Sequence, residues 1–413
     1  MTASASSSLR WGMISLAFFA TLINYLDRQS LSVAAPILQQ QFKLSSIDYS
    51  RVLFAFMLAY TIMNGVSGLL IDKLGTRAGY GIFVGWWSVC AMLHAFVRGF
   101  WSLGVFRFLL GMGEAGNWPG AVKVVAEWFP AEERSLASGI FNSGSSVGAI
   151  LAPPIIAGLV LHFGWRSAFV AVGSLGLIWL AVWAALYRSP RRTIDEPASP
   201  AISLRSLLRS RFVWTFTISK IFVDPVWYFY TFWFPTYLFH ERHFDLASIG
   251  RYAWIPFFLA GLGSVGGGLI ARIFLTAGLS VSGARKAAVT VAVMMMTAAI
   301  PAVHVAGWAL SIALVSIAMA GYTAALANML AMPADVIPAR GVASVYGLAS
   351  MGSGVGGMIF ALTTGWLVDR YSYVPVFWLF GLIPIICVSI LWVFMGRLEP
   401  DSQFLKETIA SLK

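Results

Sequence analysis

The sequence places three pairs of oppositely charged residues inside long apolar stretches, namely Asp27 with Arg28, Arg107 with Glu114, and Lys220 with Asp224. A charged side chain at the centre of a bilayer costs at least about 2.5–3.5 kcal/mol, so such residues face a partner or a water-filled cavity. A guanidinium donates two parallel hydrogen bonds to a carboxylate, and a buried carboxyl group can load and release a proton as its surroundings change. These residue types indicate a site that binds an anion and exchanges protons.

The fourth apolar stretch carries the most informative spacing. Arg107 and Glu114 are two helical turns apart and share one helix face, on which Gly111 lies between them. We expect Gly111 to leave this face open. Pro119 should bend the helix or free a backbone carbonyl. Lys123 lies in the same stretch, and the pattern assigns it no role.

Pairing between helices is the alternative interpretation of these charges. The pairs would be Asp27 with Arg107, Arg28 with Glu114, and Lys220 with Asp224 at i,i+4. For the last pair both interpretations remain open. For the other four residues a functional site is favoured, because apolar residues would pack without any cost of desolvation. Tyr60 and Asn64, one turn apart, either contribute hydrogen bonds to the site or bond between helices.

The composition indicates a polytopic membrane protein. Of the 413 residues, 59% are hydrophobic and 11% are charged, whereas a soluble domain is roughly 25% charged. The net charge of +11 does not indicate a nucleic-acid partner, because Lys and Arg lie in short connectors rather than in one patch. No metal-ligand spacing and no nucleophile–base constellation is present, so we expect neither a metal site nor an enzyme. The five histidines lie in loops or at the ends of apolar stretches, where we expect exposed side chains.

Apolar runs of about 20 residues predict an all-α membrane protein with twelve transmembrane helices in two pseudo-symmetric six-helix bundles. The predicted spans lie at about 11–38, 49–70, 78–97, 101–125, 135–161, 165–187, 212–239, 247–271, 286–304, 307–332, 341–367 and 374–396. The polar stretch 188–211 divides them, which predicts an N-terminal bundle over 1–187, a linker over 188–211 and a C-terminal bundle over 212–413.

The two halves repeat each other. GSSVG at 144–148 and GSGVG at 352–356 occur in the same order within corresponding spans, as expected of a duplicated six-helix unit. Lys and Arg are in excess in the connectors on the side of both termini. By the positive-inside rule this predicts cytoplasmic termini and a cytoplasmic linker in a plasma (inner) membrane.

GLLIDKLGTR at 68–77 resembles the loop signature of the major facilitator superfamily, with matches at Gly68, Asp72, Lys73, Gly75 and Arg77. Apart from any resemblance, the glycines permit a tight turn, and Asp72 can cap a helix or pair with nearby arginines. The corresponding stretch of the second half, GGGLIARIF, keeps Arg272 but lacks the acid.

Longer stretches resemble the anion:cation symporters of that superfamily and, among them, the hexuronate branch. These are YLDR at 25–28, RFLLGMGEAGNWPGAVKVVAEWFPAEER at 107–134 and DPVWYFYTFWFPTYL at 224–238. The resemblance implies that Asp27 and Glu114 couple protons, that Arg28 and Arg107 handle the substrate carboxylate, and that Tyr60 lies in the site. It also implies contacts with sugar hydroxyl groups from the seventh-helix residues Asp224, Trp227 and Tyr228.

We therefore expect a proton-coupled symporter that imports an organic anion, a hexuronate or related sugar acid, by alternating access. Protons would be the coupling ion, with no other cofactor, and a monomer in contact with membrane lipid is expected. Some relatives carry Asn in the eleventh helix where this chain has Gly347, so aldonates, aldarates, dicarboxylates and aromatic acids remain alternative substrates. A passive facilitator or channel is a further alternative.

Overall fold

The computed structural model describes residues 3–129, 133–188, 204–337 and 339–398, and these ranges are almost entirely helical. A 3-10 turn over His94–Phe96 follows the third helix. The helices are α1 Ala3–Phe42, α2 Ser46–Leu74, α3 Thr76–Leu93, α4 Phe100–Glu114, α5 Asn117–Trp128, α6 Arg134–Phe163, α7 Trp165–Leu186, α8 Leu204–Arg209, α9 Arg211–Arg242, α10 Leu246–Tyr252, α11 Ile255–Thr276, α12 Val281–Met296, α13 Ala299–Ala302, α14 Trp308–Val336, α15 Ala339–Arg370 and α16 Tyr373–Phe394.

Ten segments of the described chain are helical, long and apolar enough to cross a membrane. They correspond to every predicted span except the fourth and the seventh. The fourth is interrupted between α4 and α5. The seventh, α9, is 32 residues long but carries Lys220 and Asp224 in its middle. The chain is a multi-pass membrane protein, and the predicted all-α fold class is confirmed.

The helices pack into two compact units. Unit 1 comprises Met1–Thr193, Thr231–Trp254 and Thr364–Asp369, and unit 2 comprises Ile194–Tyr230, Ile255–Thr363 and Arg370–Lys413. Helices α9 and α15 therefore contribute residues to both units. The predicted linker over 188–211 falls largely outside the described residues, so the domain boundaries stay a prediction.

Small residues determine how closely α1 packs within unit 1. Helix α1 packs against α6, α2 against α4, and α3 against α7. A Cβ atom added to Gly144 of α6 would lie 2.4 Å from the carbonyl oxygen of Phe18, and one added to Gly148 would lie 2.6 Å from that of Leu22. The absence of side chains at these two positions lets α6 contact the backbone of α1, the helix that carries Asp27 and Arg28.

Unit 2 repeats this contact with the equivalent glycines. Helices α11 and α12 both pack against α14, and α15 approaches α9 through Gly352 and Gly356. A Cβ atom added there would lie 2.7 Å from the carbonyl oxygen of Thr217 or 2.4 Å from that of Ile221. The motif pair that predicted the duplication therefore makes the same backbone contact in each unit.

Within unit 1, the segments Thr231–Trp254 and Thr364–Asp369 pack against the beginning of α2. The hydroxyl group of Tyr49 donates to the carbonyl oxygen of Phe232 at 2.8 Å. The two carboxylate oxygens of Asp369 accept hydrogen bonds from the first two backbone N–H groups of α2, each at 2.8 Å. A carboxylate at a helix N-terminus satisfies donors that have no partner inside the helix and lies favourably at the positive end of the helix dipole.

We expect Asp369→Ala to lower the thermal unfolding midpoint of the detergent-purified protein. Loss of a side-chain acceptor at a helix N-terminus costs about 1 kcal/mol, which corresponds to a shift of roughly 2–4 °C. Scanning fluorimetry measures this shift. Glu241→Ala is the matched control, because it removes an exposed carboxylate at the end of α9 that caps no helix. Equal shifts for the two variants would contradict this role of Asp369.

Candidate functional site

Helices α1 and α4 bring four of the predicted site residues into the interior of unit 1. Asp27 and Arg28 come from α1, and Arg107 and Glu114 come from α4. None of the four is more than 5% exposed, and Glu114 is fully buried. The sequence therefore correctly predicts that these charges lie together inside the helical unit and not in a surface loop.

Arg28 and Glu114 form a buried ion pair. Nε of Arg28 donates to Oε2 of Glu114 at 2.6 Å. The guanidinium also lies over the ring of Tyr60, with Cζ 4.5 Å from the ring centroid, which is a favourable cation–π distance. The pairing alternative is thus correct for these two residues, and Tyr60 contacts the arginine of the pair. Asn64, one turn further along α2, is half-buried.

Arg107 and Asp27 have no hydrogen-bond partner within the described part of the chain. All three guanidinium nitrogens of Arg107 and both carboxylate oxygens of Asp27 are buried, and none makes a hydrogen bond there. The alternative pairing of Asp27 with Arg107 is therefore not formed as a hydrogen-bonded contact. A buried charge without hydrogen bonds is costly, and a ligand that accepts hydrogen bonds would remove this cost. The guanidinium of Arg107 presents oriented donors that suit an oxyanion ligand.

The break between α4 and α5 follows from Pro119. Proline has no N–H group and cannot bond the carbonyl oxygen four residues earlier, which is that of Ala115. The hydroxyl group of Ser67 donates to this oxygen instead, at 3.0 Å. Just after the break, Nδ2 of Asn117 donates to Thr21 at 3.1 Å, which connects the interrupted helix to α1. The expectation of a freed carbonyl at Pro119 is confirmed.

The predicted loop motif lies at the junction of α2 and α3. Gly75 separates the two helices with φ +80°, a conformation that favours glycine. Gly68 lies on α2 near Pro119, while Lys73 and Arg77 are exposed. Asp72 was expected to cap a helix or pair with an arginine.

The partner of Asp72 is Lys123 and not an arginine. Nζ of Lys123 lies 2.6 Å from Oδ1 of Asp72. The side chain of Asp72 is 70% exposed, so the pair lies at the protein surface near the end of α2. This ion pair explains the charge of Lys123, so Lys123 needs no role in the buried cluster of Asp27, Arg28, Arg107 and Glu114.

Unit 2 contains a second buried pair. Lys220 and Asp224 interact within α9, with Nζ 2.7 Å from Oδ2, so the i,i+4 pairing is correct. The hydroxyl group of Tyr322 donates to Oδ1 of Asp224 at 3.2 Å, and the ring of Trp227 stacks on that of Tyr322 with centroids 5.6 Å apart. The half-buried Tyr228 shares a hydrogen bond of 3.1 Å with Ser353. Asp224 and Trp227 thus share the contact with Tyr322, while Tyr228 bonds separately to Ser353.

Sequence reasoning missed several polar residues of these networks. Asn24 lies three and four residues before Asp27 and Arg28, hence on the same helix face, and both its amide atoms are buried without partners in the described chain. This spacing was a usable signal. Tyr322 had none, because it stands alone among small residues of α14.

The expectation of exposed histidines is wrong for His94. Its ring is fully buried and stacks on Phe169, with centroids 5.1 Å apart. Nδ1 faces the carbonyl oxygen of Cys90 at 2.8 Å. The 3-10 turn after α3 brings the ring back into the unit, a change of direction that hydrophobic periodicity does not reveal.

The expectation that Gly111 leaves the face of α4 open is also wrong. A Cβ atom added to Gly111 would lie 2.5 Å from the backbone carbonyl oxygen of Phe56 and 3.3 Å from Ala59. Gly111 is therefore a packing position for α2, and it lets α2 and α4 approach closely between Arg107 and Glu114.

Comparisons with known proteins agree with this architecture. The family model of the Major Facilitator Superfamily matches residues 17–282 and 273–412. A crystal structure of a bacterial homologue of the human lysosomal transporter Spinster, inward-facing and unoccupied, has a TM-score of 0.72 to this chain, at 18% identity and with 98% of each chain covered. This likeness concerns the fold.

Relatives with assigned substrates are more similar in sequence. The chain is 30% identical over 420 residues to the hexuronate transporter of Escherichia coli (strain K12), and the alignment covers 97% of each protein. It is 34% identical over 309 residues to the galacturonate transporter of Dickeya chrysanthemi, which covers 70% of this chain and 89% of that protein. A probable galactarate/D-glucarate transporter of Escherichia coli (strain K12) is 28% identical over 396 residues, with 87% of this chain and 88% of the relative covered.

We expect Gly111→Val to destabilise unit 1 strongly, because its side chain would collide with the backbone of α2. Overpacking of a buried position costs about 1–3 kcal/mol. Gly104→Val on the same helix is the control, since a Cβ atom there meets nothing within 4 Å. The yield of monodisperse protein and the thermal midpoint measure the difference. If both variants behave like the parent protein, Gly111 does not set the distance between α2 and α4.

Proposed function

This chain belongs to the Major Facilitator Superfamily of transporters, and we propose that it is a proton-coupled symporter for an organic anion, a hexuronate or related sugar acid. The observation that carries the proposal is the fully buried guanidinium of Arg107, which has three nitrogens without partners in the described chain. The names of the relatives favour sugar acids as the substrate class.

Arg107 would bind the substrate carboxylate. A guanidinium matches a carboxylate with two parallel N–H···O bonds, and charge-assisted bonds of this kind are stronger than neutral ones. Arg28 is already engaged by Glu114, so Arg107 is the more available of the two arginines. A carboxylate ligand would also relieve the cost of leaving buried donors without acceptors.

Coupling to protons follows from charge balance in the cluster. With two ionised acids and two arginines, the four side chains sum to zero charge. A monoanionic substrate would add one negative charge to a poorly solvated region, which is unfavourable. Uptake of one proton by Asp27 or Glu114 would restore neutrality, so binding of the anion and of a proton would favour each other.

Glu114 is the acid whose protonation would change the site most directly. A protonated carboxyl group holds a guanidinium less strongly, so the 2.6 Å pair would weaken and Arg28 would become available to the substrate. Loss of the proton would re-form the pair and withdraw Arg28 from the anion. This exchange of partners would link the proton to substrate binding and release.

In unit 2, we propose that Asp224, Trp227 and Tyr228 contact the hydroxyl groups of the sugar acid. Their hydroxyl, carboxylate and aromatic groups suit a polyhydroxylated ligand, in which polar contacts set orientation and an aromatic face covers the carbon skeleton. The excess of Lys and Arg on the side of both termini supports cytoplasmic termini. Protons and substrate would then bind from the outer side and leave to the cytoplasm by alternating access.

Arg107→Lys should weaken substrate binding while preserving one positive charge. Loss of bidentate geometry to a charged acceptor costs about 1.5–3 kcal/mol, which predicts roughly a 10- to 150-fold rise in Kd. Thermal-shift titration of the purified protein with glucuronate, galacturonate, gluconate, glucarate and aromatic acids measures binding and ranks the substrate classes. Arg98→Lys, an exchange at an exposed arginine preceding α4, is the control. Unchanged affinity in the Arg107 variant would remove the basis of the proposed anion site.

Glu114→Gln should abolish accumulation of substrate driven by a pH gradient in proteoliposomes, because Gln cannot release a proton. Counterflow of labelled substrate in the absence of a gradient should persist, since it needs binding and reorientation but no net proton transfer.

Glu241→Gln controls for the loss of a carboxylate outside the cluster. If the Glu114 variant still concentrates substrate against a pH gradient, Glu114 is not the coupling acid. If the parent protein moves substrate with no proton flux, the chain is a passive facilitator.

A further inference from the structure

A groove runs along the outside of unit 1 between α3 and α7. Its volume is about 890 Å³, within the range of about 300–1,000 Å³ that is usual for ligand pockets. The lining is almost wholly apolar and comes mainly from Leu74, Gly81, Gly85, Trp86, Leu180 and Trp183, with the guanidinium-bearing residue Arg77 at one end. The groove is separate from the ionised residues Asp27, Arg28, Arg107 and Glu114, none of which lines it.

Two glycines of α3 make the groove concave. Gly81 and Gly85 lie one turn apart and present no side chain where α7 approaches. A Cβ atom on Gly85 would lie 3.0 Å from the end of the Leu180 side chain. From Ala78 to Leu93, both lining residues, α3 rises about 22 Å. The groove therefore spans most of a hydrocarbon layer of about 30 Å.

Arg77 is held at the end of the groove that lies beside the α2–α3 junction. Its Nη2 donates to the carbonyl oxygen of Ala184 at 2.5 Å, and its own carbonyl oxygen accepts from Nε1 of Trp183 at 2.9 Å. The side chain remains exposed, and within the described part of the chain this is its one hydrogen bond. The positive charge of Arg77 thus lies at the end of the long apolar groove.

We propose that this groove binds an anionic phospholipid from the leaflet next to Arg77. An acyl chain would lie along the exposed lining of α3 past Ile82, Gly85 and Trp86, and the headgroup phosphate would accept hydrogen bonds from the guanidinium of Arg77. Such a lipid matches both the positive charge at the mouth of the groove and its apolar, membrane-facing lining. Basic residues at a membrane surface attract anionic lipids, and a guanidinium matches phosphate geometry.

Native mass spectrometry of the delipidated full-length protein tests the site. The protein is titrated with phosphatidylglycerol or with phosphatidylcholine of the same acyl chains. We expect about fivefold tighter retention of the first bound phosphatidylglycerol, the factor that one basic residue near anionic lipid contributes. Arg77→Gln should reduce this retention to the level of phosphatidylcholine. Gly85→Leu should reduce retention of both lipids by filling the groove.

Two matched substitutions control for effects elsewhere. Arg272→Gln removes an exposed arginine from the corresponding stretch of the second half, and Gly268→Leu adds the same side chain at an exposed glycine with open space around it. Both should bind lipid like the parent protein. The proposal is overturned if Arg77→Gln retains the preference for phosphatidylglycerol, or if Gly85→Leu and Gly268→Leu retain lipid equally. Because Arg77→Gln alters only an exposed side chain, its result does not depend on whether the glycine variant folds.

Discussion

The buried pair of Arg28 and Glu114 is the interaction on which the rest of unit 1 depends. Two charges removed from water recover the cost of desolvation only when their geometry is good and their other polar atoms are satisfied. The 2.6 Å contact satisfies the first condition. The second is met only in part, because Nη2 of Arg28 and Oε1 of Glu114 make no hydrogen bond within the described residues. The pair therefore connects α1 to α4 but leaves two of its polar atoms open to a further partner.

Close backbone packing surrounds both helices that carry this pair. Gly144 and Gly148 let α6 press on α1, and Gly111 lets α2 press on α4. In a membrane, where lipid tails are as apolar as Leu, helices associate through such small-residue contacts and through polar bonds between helices. The glycines thus let the helix backbones approach closely, and the charged residues form the polar contact between α1 and α4.

Sequence patterns predicted the elements of this arrangement better than its contacts. The two glycine motifs identified the repeat because backbone approach requires glycine at particular positions, whatever the neighbouring side chains. The loop motif located the α2–α3 turn for a similar reason. The pairing of Arg28 with Glu114 remained an alternative at the level of the sequence, because the rotation of α1 against α4 decides which side chains meet.

The same limitation explains the wrong expectations for Gly111 and His94. Gly111 was expected to face open space, because the sequence of α4 does not indicate which neighbouring helix packs on this position. In the structure α2 packs on it. His94 was expected at the surface because it follows an apolar stretch, yet a 3-10 turn directs its ring inward. Both outcomes are set by tertiary packing that no local period encodes.

The charges of the cluster also constrain what a mechanism can do. Asp27, Arg107 and the Arg28–Glu114 pair are all buried within unit 1, so a proton gained at either acid alters the field at both arginines. One arginine is held by Glu114, and the other has its donors free in the described chain. In the proposed mechanism, an anion would bind Arg107 first and would compete for Arg28 only when Glu114 is neutral. The four side chains, the bound anion and the proton would together carry no net charge. This neutrality, more than the affinity of any single residue for the anion, would determine whether the substrate-bound cluster is stable in a membrane.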